Sequence, residues 1–241
     1  KFRGMWGTGF RMPTFMDRYI DWYHYQFGYT VIGNPDIKPE TSEGYSLGFE
    51  YYHSSVYRVS CRVYRTSFIN MIDDYILPTN GHLSYRNIDR VQYTGAELQG
   101  SFNMSNDWIV GWGINWVNNI DMSTDKLLSN TQPFSSNINI THKLNILPYR
   151  YMFQLKWIGP YYPLEYIPES NEFVTSSTKR KSQIFFEYVG TWNLKPSIAI
   201  ESGIKNILNI TNAKYGPFIG RTYYVKFKYT INQNKGNKNE K

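Results

Sequence analysis

One stretch of the chain reads Trp108-Ile109-Val110-Gly111-Trp112-Gly113-Ile114-Asn115-Trp116. Large apolar side chains stand at every second position, and glycine or asparagine fills three of the four positions between them. Successive side chains of a β-strand point to opposite faces of the sheet. The period of two therefore predicts a strand with one apolar face and one open or polar face.

The same alternation returns in residues 57–64, 95–104 and 222–231. Several alternating segments run past ten residues, whereas strands of globular domains most often have about 5–6. A tilted strand needs roughly 9–11 residues to cross a bilayer, and aromatic side chains gather at the two interfaces. Tyr57, Trp108 and Tyr229 lie at the ends of alternating segments. Strand length and aromatic placement therefore favour membrane-spanning strands.

The composition agrees with strands that have one lipid-facing side. Aromatic residues make up 18% of the 241 residues, yet the hydrophobic fraction is only 41% and the mean hydropathy is −0.51. No run in the sequence approaches the roughly 18 apolar residues of a membrane helix. This combination fits a transmembrane β-barrel. A soluble β-sandwich is the alternative, and composition alone favours it.

We predict ten strands, whose connections alternate between short and long. The short connections are near 53–55, 105–106, 146–148 and 194–195, and the long ones are near 12–40, 77–84, 123–132, 161–179 and 205–220. Outer-membrane barrels have short periplasmic turns and long extracellular loops. We therefore expect an all-β fold, a transmembrane antiparallel β-barrel with a periplasmic C-terminus. The strands are expected near 2–11, 41–53, 56–76, 85–104, 107–122, 133–145, 149–160, 180–193, 196–204 and 221–231.

Several classes of function find no support in the sequence. The net charge is +7, but Lys and Arg are spread along the strands and no nucleic-acid-binding motif occurs. No nucleic-acid partner is therefore predicted. Cys61 is the only cysteine, which excludes an internal disulfide and a metal site built from several thiolates.

Catalysis has one candidate group of residues. Asp73 and Asp74 adjoin at the end of a strand, and His82 follows in the next loop. An omptin-like protease, which is a ten-stranded barrel, would use such groups to activate water. Adjacent carboxylates on a strand point to opposite faces, which favours an ordinary solvated pair. No catalytic sequence motif occurs, so we predict that the chain is not an enzyme and keep the protease as an alternative.

Two motifs near the start of the chain flank a crowded aromatic segment. The first motif is Gly9-Phe10-Arg11-Met12-Pro13, and the second motif is Gly33-Asn34-Pro35-Asp36-Ile37-Lys38-Pro39-Glu40. Pro13 lacks an N–H and suits the end of a strand, whereas Asn34-Pro35-Asp36 is a turn signal. Between the motifs lies Tyr19-Ile20-Asp21-Trp22-Tyr23-His24-Tyr25-Gln26-Phe27.

The pair of motifs resembles that of TonB-dependent outer-membrane receptors, with Met12 for the usual Ala and Ile37 for the usual Leu. The resemblance implies a 22-stranded barrel with an N-terminal plug domain. The ten strands would then be the last ten, in a domain at 1–231 with the plug domain absent and a polar periplasmic tail at 232–241. We expect the chain to be a fragment or one half of a split receptor. Further stretches that resemble the family are 87–97, 203–209 with Tyr215, and 220–223.

The same resemblance implies the location and the partners. The chain would lie in the outer membrane of a Gram-negative bacterium, surrounded by outer-membrane lipid. Its partners would be the plug and the remaining barrel strands, on the same or a separate chain, and the energising TonB-ExbB-ExbD complex. A surface lipoprotein is a further possible partner. If the plug is on a separate chain, this chain serves as a structural part of the barrel.

Haem receptors of this family carry a ligand-binding histidine between the two motifs, and His24 occupies that position. Trp22, Tyr23 and Tyr25 would stack on a porphyrin face, and His82 is a second candidate. Haem is thus the expected transported ligand, with no intrinsic cofactor or metal. A siderophore, cobalamin, peptide or glycan remains the alternative. Arg58, Arg62 and Glu97 are expected to face the lumen, and His53 and His142 to take no part.

Overall fold

The computed structural model describes residues 1–26, 28–54, 56–77, 81–144, 147–167, 172–213 and 216–230. Strands dominate these residues, and one short helix interrupts them. In chain order the elements are β1 (Phe2–Arg11), α1 (Phe15–Tyr19), β2 (Asp21–His24), β3 (Tyr29–Ile32), β4 (Glu40–His53), β5 (Tyr57–Ile76), β6 (Leu83–Asn103), β7 (Trp108–Asp121), β8 (Lys126–Leu127), β9 (Phe134–Leu144), β10 (Tyr149–Ile158), β11 (Leu164–Ile167), β12 (Glu172–Thr175), β13 (Gln183–Lys195), β14 (Ile198–Lys205) and β15 (Thr222–Tyr229).

Ten of these strands form one antiparallel path in the order β1-β4-β5-β6-β7-β9-β10-β13-β14-β15. Each strand between the two ends of the path pairs with the one before it and the one after it, which confirms the ten predicted strands. The connections 54–56, 104–107, 145–148 and 196–197 define the short-turn end of the sheet. The connections 12–39, 77–82, 122–133, 159–182 and 206–221 define the long-loop end.

Most predicted strand boundaries differ from the structure by one to three residues, and two of these differences have a clear cause. Strand β6 begins at Leu83 instead of residue 85, because Leu83 still pairs with Ile76 of β5. Strand β13 begins at Gln183 instead of residue 180, because Arg180 forms an isolated bridge with Tyr161 within the loop. The predicted tail at 232–241, the strand end at Ile231 and the motif residue Tyr215 lie outside the described residues.

The register separates the ten strands into an apolar face and a polar face. Leu47 pairs with Val63 on one face, while Arg62 pairs with Glu97 on the other. Side chains of the apolar face stay exposed, as Leu47 at 67% shows, because no second layer among the described residues covers them. The predicted alternation is thus confirmed. The polar face includes Ser46, Arg62, Glu97, Asn115, Asn139, Gln154, Glu187, Glu201 and Lys226.

The few apolar side chains that are fully buried lie toward the long-loop end. Ile37, Ile72 and Val91 are at most 6% exposed, and Tyr161 is 7% exposed. Strand residues near this end and loop residues therefore form the local core together. This end of the molecule is the place where loop side chains are held in fixed positions.

Residues 12–39, expected as one long loop, contain a helix and a hairpin. Thr14 caps α1, since its hydroxyl accepts from the Asp17 N–H at 3.1 Å and the Asp17 carboxylate accepts from the Thr14 N–H at 2.8 Å. Strands β2 and β3 then pair as a hairpin, from Asp21↔Ile32 to His24↔Tyr29. Among the described residues, no helix has the length and hydropathy needed to span a membrane.

Candidate ligand-binding site at the long-loop end

The ligand hairpin, as we name residues 21–32, projects from the segment between the two motifs. The turn needs Gly28, whose φ of +68° lies in the left-handed region, and the Gly28 N–H donates to the His24 carbonyl at 2.8 Å. Glycine adopts this conformation without steric cost. At the base of the hairpin, Val31 pairs in parallel with Leu83 of β6. The hairpin is therefore attached to the wall of the sheet.

One face of the ligand hairpin groups His24 with two aromatic rings. The His24 ring centroid lies 4.7 Å from Trp22 and 5.2 Å from Tyr29. His24 is half-buried by these neighbours, while Trp22 stays 46% exposed. Tyr29 was not among the residues predicted from the sequence. The hairpin register, which sets Tyr29 opposite His24, is the signal that identifies it.

The opposite face of the hairpin carries the two predicted tyrosines. Tyr23 and Tyr25 make an edge-to-face pair with centroids 4.9 Å apart, and Tyr25 is 88% exposed. The four aromatic and histidine residues predicted as one cluster thus divide between two faces, because successive residues of a strand point in opposite directions. His24 can share a flat ligand with Trp22 more readily than with either neighbouring tyrosine.

His82 lies near the base of the hairpin. It precedes Leu83, the partner of Val31, and its carbonyl accepts from the Leu77 N–H at 2.8 Å. His24 lies at the other end of the hairpin pairing, beside the turn. The structure therefore places His82 in the same loop region as His24, but at the opposite end of the hairpin.

Arg58, Arg62 and Glu97, which were expected to face the lumen, all lie on the polar face of the sheet. The Arg62 guanidinium donates two hydrogen bonds to the Glu97 carboxylate, at 2.9 and 3.1 Å. The Arg58 guanidinium stands 5.1 Å from the centre of the Tyr52 ring. The two arginines are therefore held by neighbours on the same wall, which gives the wall fixed charges.

The candidate catalytic residues do not form a joint site. Asp73 makes an ion pair with Arg86 at 3.6 Å, and Asp74 is paired in register with Tyr85. In the part of the chain that the structure describes, no group of three or more His, Cys, Asp or Glu side chains could hold a metal ion. The carboxylate pair is explained by contacts within the sheet.

The other two histidines belong to the short-turn end. His53 stacks on Tyr57 with ring centroids 5.1 Å apart, and His142 stacks on Trp108 at 4.0 Å. Both residues end or nearly end a strand beside a short turn. Their aromatic contacts stabilise strand ends far along the sheet from the ligand hairpin.

Curated relatives match a part of the chain. The chain is 33% identical over 96 residues to the vitamin B12 transporter BtuB of Vibrio vulnificus, which covers 40% of this chain and 14% of that protein. It is 32% identical over 106 residues to an iron-regulated outer membrane virulence protein of Vibrio cholerae, covering 39% of this chain and 16% of that protein. The matched region is therefore a small share of each relative.

Solved structures share the fold over 95% of this chain. The copper transporter OprC has a TM-score of 0.72 at 13% identity, and this chain covers 37% of it. A ferric enterobactin receptor PfeA variant from Pseudomonas aeruginosa has a TM-score of 0.71 at 17% sequence identity, and this chain covers 38% of it. The siderophore receptor PirA from Acinetobacter baumannii has a TM-score of 0.68 at 15% sequence identity, and this chain covers 39% of it. The chain thus spans under two fifths of the length of these receptors.

The family itself is shown by a match over most of the sequence. The model described as "TonB dependent receptor-like, beta-barrel" matches residues 1–207. The antiparallel strands, the polar and apolar faces and the likeness to solved receptors agree with that match. The chain belongs to the TonB-dependent receptor β-barrel family.

Proposed function

We propose that the chain forms ten adjacent wall strands of an outer-membrane receptor that imports a scarce iron-containing ligand, with haem as the first candidate. The long-loop end faces the outside of the cell, and the short-turn end and the C-terminus face the periplasm. A plug domain and the remaining strands complete the receptor. The TonB-ExbB-ExbD complex supplies the energy for release of the ligand through the barrel.

One observation supports haem most directly, namely the face of the ligand hairpin that carries His24. Imidazole is a good ligand for haem iron, and aromatic rings stack on flat conjugated ligands. Trp22 and Tyr29 lie within 4.7 and 5.2 Å of the His24 ring, so a porphyrin reaching His24 would meet at least one of them.

The polar face supports a transport role for the rest of the sheet. In a barrel with lipid on the apolar side, the face that carries Arg62 and Glu97 lines the lumen. Their ion pair at 2.9 Å and the neighbouring Arg58 provide fixed charges along the path of an anionic ligand. These charges also suit contact with a plug domain.

The haem proposal is tested by spectral titration of the intact receptor with haemin. Wild type should shift the Soret band on binding, and His24→Ala should lose that shift. His53→Ala is the matched control, because His53 also stacks on a tyrosine ring but lies at the short-turn end. A wild-type receptor that gives no Soret shift would rule out haem.

A ferric siderophore is the second candidate, favoured by the exposed Tyr23–Tyr25 pair and by the ferric enterobactin receptor among the similar structures. Stacking on such a pair is worth about 0.5–1.5 kcal/mol. Tyr23→Ala with Tyr25→Ala should then weaken ferric enterobactin binding about 2- to 10-fold, measured by fluorescence quenching. Tyr19→Ala, which removes an exposed tyrosine paired with Phe15, is the control. Equal losses in both would exclude this role of the pair.

A further inference from the structure

Residues 33–39 of the second motif contact strands of the sheet without forming a strand themselves. Pro35 and Pro39 lack the N–H that a ladder would need, and the Asp36 N–H donates to its neighbour Asn34 Oδ1 at 3.0 Å instead. Ile37 within the motif is nevertheless 2% exposed. Buried backbone groups require hydrogen-bond partners, so this segment needs partners other than a strand ladder.

Asn87 of β6 provides such partners for Lys38, the exposed residue that follows the buried Ile37. Asn87 Oδ1 accepts from the Lys38 N–H at 2.8 Å, and Asn87 Nδ2 donates to the Lys38 carbonyl at 3.1 Å. The side-chain amide thus contacts one residue as a neighbouring strand would, through one acceptor and one donor. The Lys38 N–H can only donate and the Lys38 carbonyl can only accept, so these two partners determine which side of the Asn87 amide carries the oxygen and which carries the nitrogen.

Asn87 also secures an irregular point of β5. The ladder between β5 and β6 passes from Ile69↔Arg90 to Met71↔Ile88, and Asn70 between them has a left-handed φ of 54°. The Asn70 carbonyl accepts the second Asn87 Nδ2 hydrogen bond, at 2.8 Å. Both N–H groups of the amide are therefore used, one toward the second motif and one toward the wall.

Three further contacts fasten the second motif beside Asn87. Asn34 Nδ2 donates to the Tyr85 carbonyl at 2.9 Å, and the Ile72 N–H donates to Glu40 Oε2 at 2.9 Å. The Arg18 guanidinium donates to the Ile37 carbonyl at 3.0 Å. The motif follows directly on the ligand hairpin, so its attachment determines where the base of the hairpin stands.

We propose that Asn87 is a positioning residue, whose amide takes the place of a strand partner for Lys38 and thereby holds the ligand hairpin over the long-loop end. The inference rests on the proposed function only in naming the hairpin as the ligand contact. Asn87 acts on the hairpin through the second motif. Two stretches of sequence 49 residues apart therefore form one structural unit.

The test uses Asn87→Asp in the intact receptor, because carboxylate keeps the shape of the amide but donates no hydrogen bond. Spin labels are placed through Tyr25→Cys and Thr222→Cys in a Cys61→Ser background, and their distance distribution is measured at pH 8 and pH 3. Wild type should give one narrow distribution at both values. The distribution of Asn87→Asp should be broad at pH 8 and narrower at pH 3, which is below the ordinary aspartate pKa of about 3.9, because the carboxylic acid regains one donor.

Ligand binding gives a second readout. Asn87→Asp should bind haemin about tenfold more weakly than wild type at pH 8, since two hydrogen bonds to carbonyls are lost. Asn115→Asp is the matched control, because Asn115 lies on β7 and its amide donates to Ser135 Oγ at 3.5 Å, away from the second motif. Titratable groups on the neighbouring segments remain in every variant, namely Lys38, Glu40, Asp73, Asp74 and Arg86.

The outcomes separate this inference from the proposed function. A narrow distribution in Asn87→Asp at pH 8, an equally broad one at both pH values, or the same broadening in Asn115→Asp would overturn the positioning role. Asn87→Ala removes all three hydrogen bonds without adding charge, so its distance distribution should be broad at both pH values. This variant replaces Asn87→Asp in the test if Asn87→Asp does not fold. If the wild-type receptor does not bind haemin, the proposal of haem as the ligand is wrong. The spin-label distances still decide whether Asn87 positions the hairpin.

Discussion

At the scale of single residues, Gly33 shows how closely the loop packs on itself. A Cβ at this position would lie 2.4 Å from the Arg18 carbonyl carbon and 2.5 Å from the Tyr19 nitrogen. These are backbone atoms, which cannot turn aside as a flexible side chain can. The Gly33 N–H also donates to the Ile20 carbonyl at 2.7 Å. Glycine is required here by close approach of two backbones.

We expect Gly33→Ala to push α1 away from the second motif and loosen the ligand hairpin. Overpacking of this kind costs about 1–3 kcal/mol, and here the cost should appear as local opening. Limited proteolysis of the intact receptor should cut residues 12–39 faster than in wild type. Gly7→Ala is the control, since nothing lies within 4 Å of a Cβ at Gly7. Equal cleavage rates in the two variants would contradict the steric explanation.

At the scale of elements, strand β4 illustrates the division between the two faces. Leu47 and its neighbour Ser46 pair with Val63 and Tyr64 of β5, on opposite faces of the sheet. Leu47 is 67% exposed, which lipid would cover in the proposed barrel. The same backbone therefore presents one position to hydrocarbon and the next to a polar lumen.

Replacing Leu47 and Ser46 in turn by arginine should reveal this difference. Leu47→Arg is expected to destabilise the receptor by about 2–4 kcal/mol, the cost of arginine on the lipid face near the midplane. Ser46→Arg should cost much less, because its side chain enters the polar face. Denaturant unfolding of the receptor in lipid vesicles measures both. A larger loss for Ser46→Arg would show that the faces are assigned the wrong way round.

At the scale of the whole molecule, the sheet has two open edges. Within the described residues, β1 pairs with β4 and β15 pairs with β14, at the two ends of the strand order. Unpaired backbone groups are not tolerated in hydrocarbon. The edges therefore agree with a larger barrel, in which further strands pair with β1 and β15.

The proposed orientation predicts which ends a large reagent can reach in living cells. In a Cys61→Ser background, Tyr25→Cys in the ligand hairpin should react with polyethylene-glycol maleimide on intact cells. Asn106→Cys, in the short turn between β6 and β7, should react only after the outer membrane is opened. The reverse pattern of labelling would place the short-turn end outside and contradict the proposed import direction.

The sequence alone determined the ten wall strands and the ends at which their loops lie. Side-chain alternation is a local property that each strand carries in its own residues, as the stretch 108–116 does. The first strand ends at Arg11 and the fourth begins at Glu40, where the two motifs predicted boundaries. The aromatic segment was also recognised, but as one cluster instead of the two faces of a hairpin.

Only the tertiary structure identified Tyr29 as the neighbour of His24 and Asn87 as the partner of Lys38. It also revealed why Gly33 must be glycine. These contacts join residues that are distant in sequence or lie across a turn, and strand register and loop path decide which of them meet. A local sequence pattern predicts the face of the sheet on which a side chain lies. It does not predict which distant backbone group will need a hydrogen bond from that side chain.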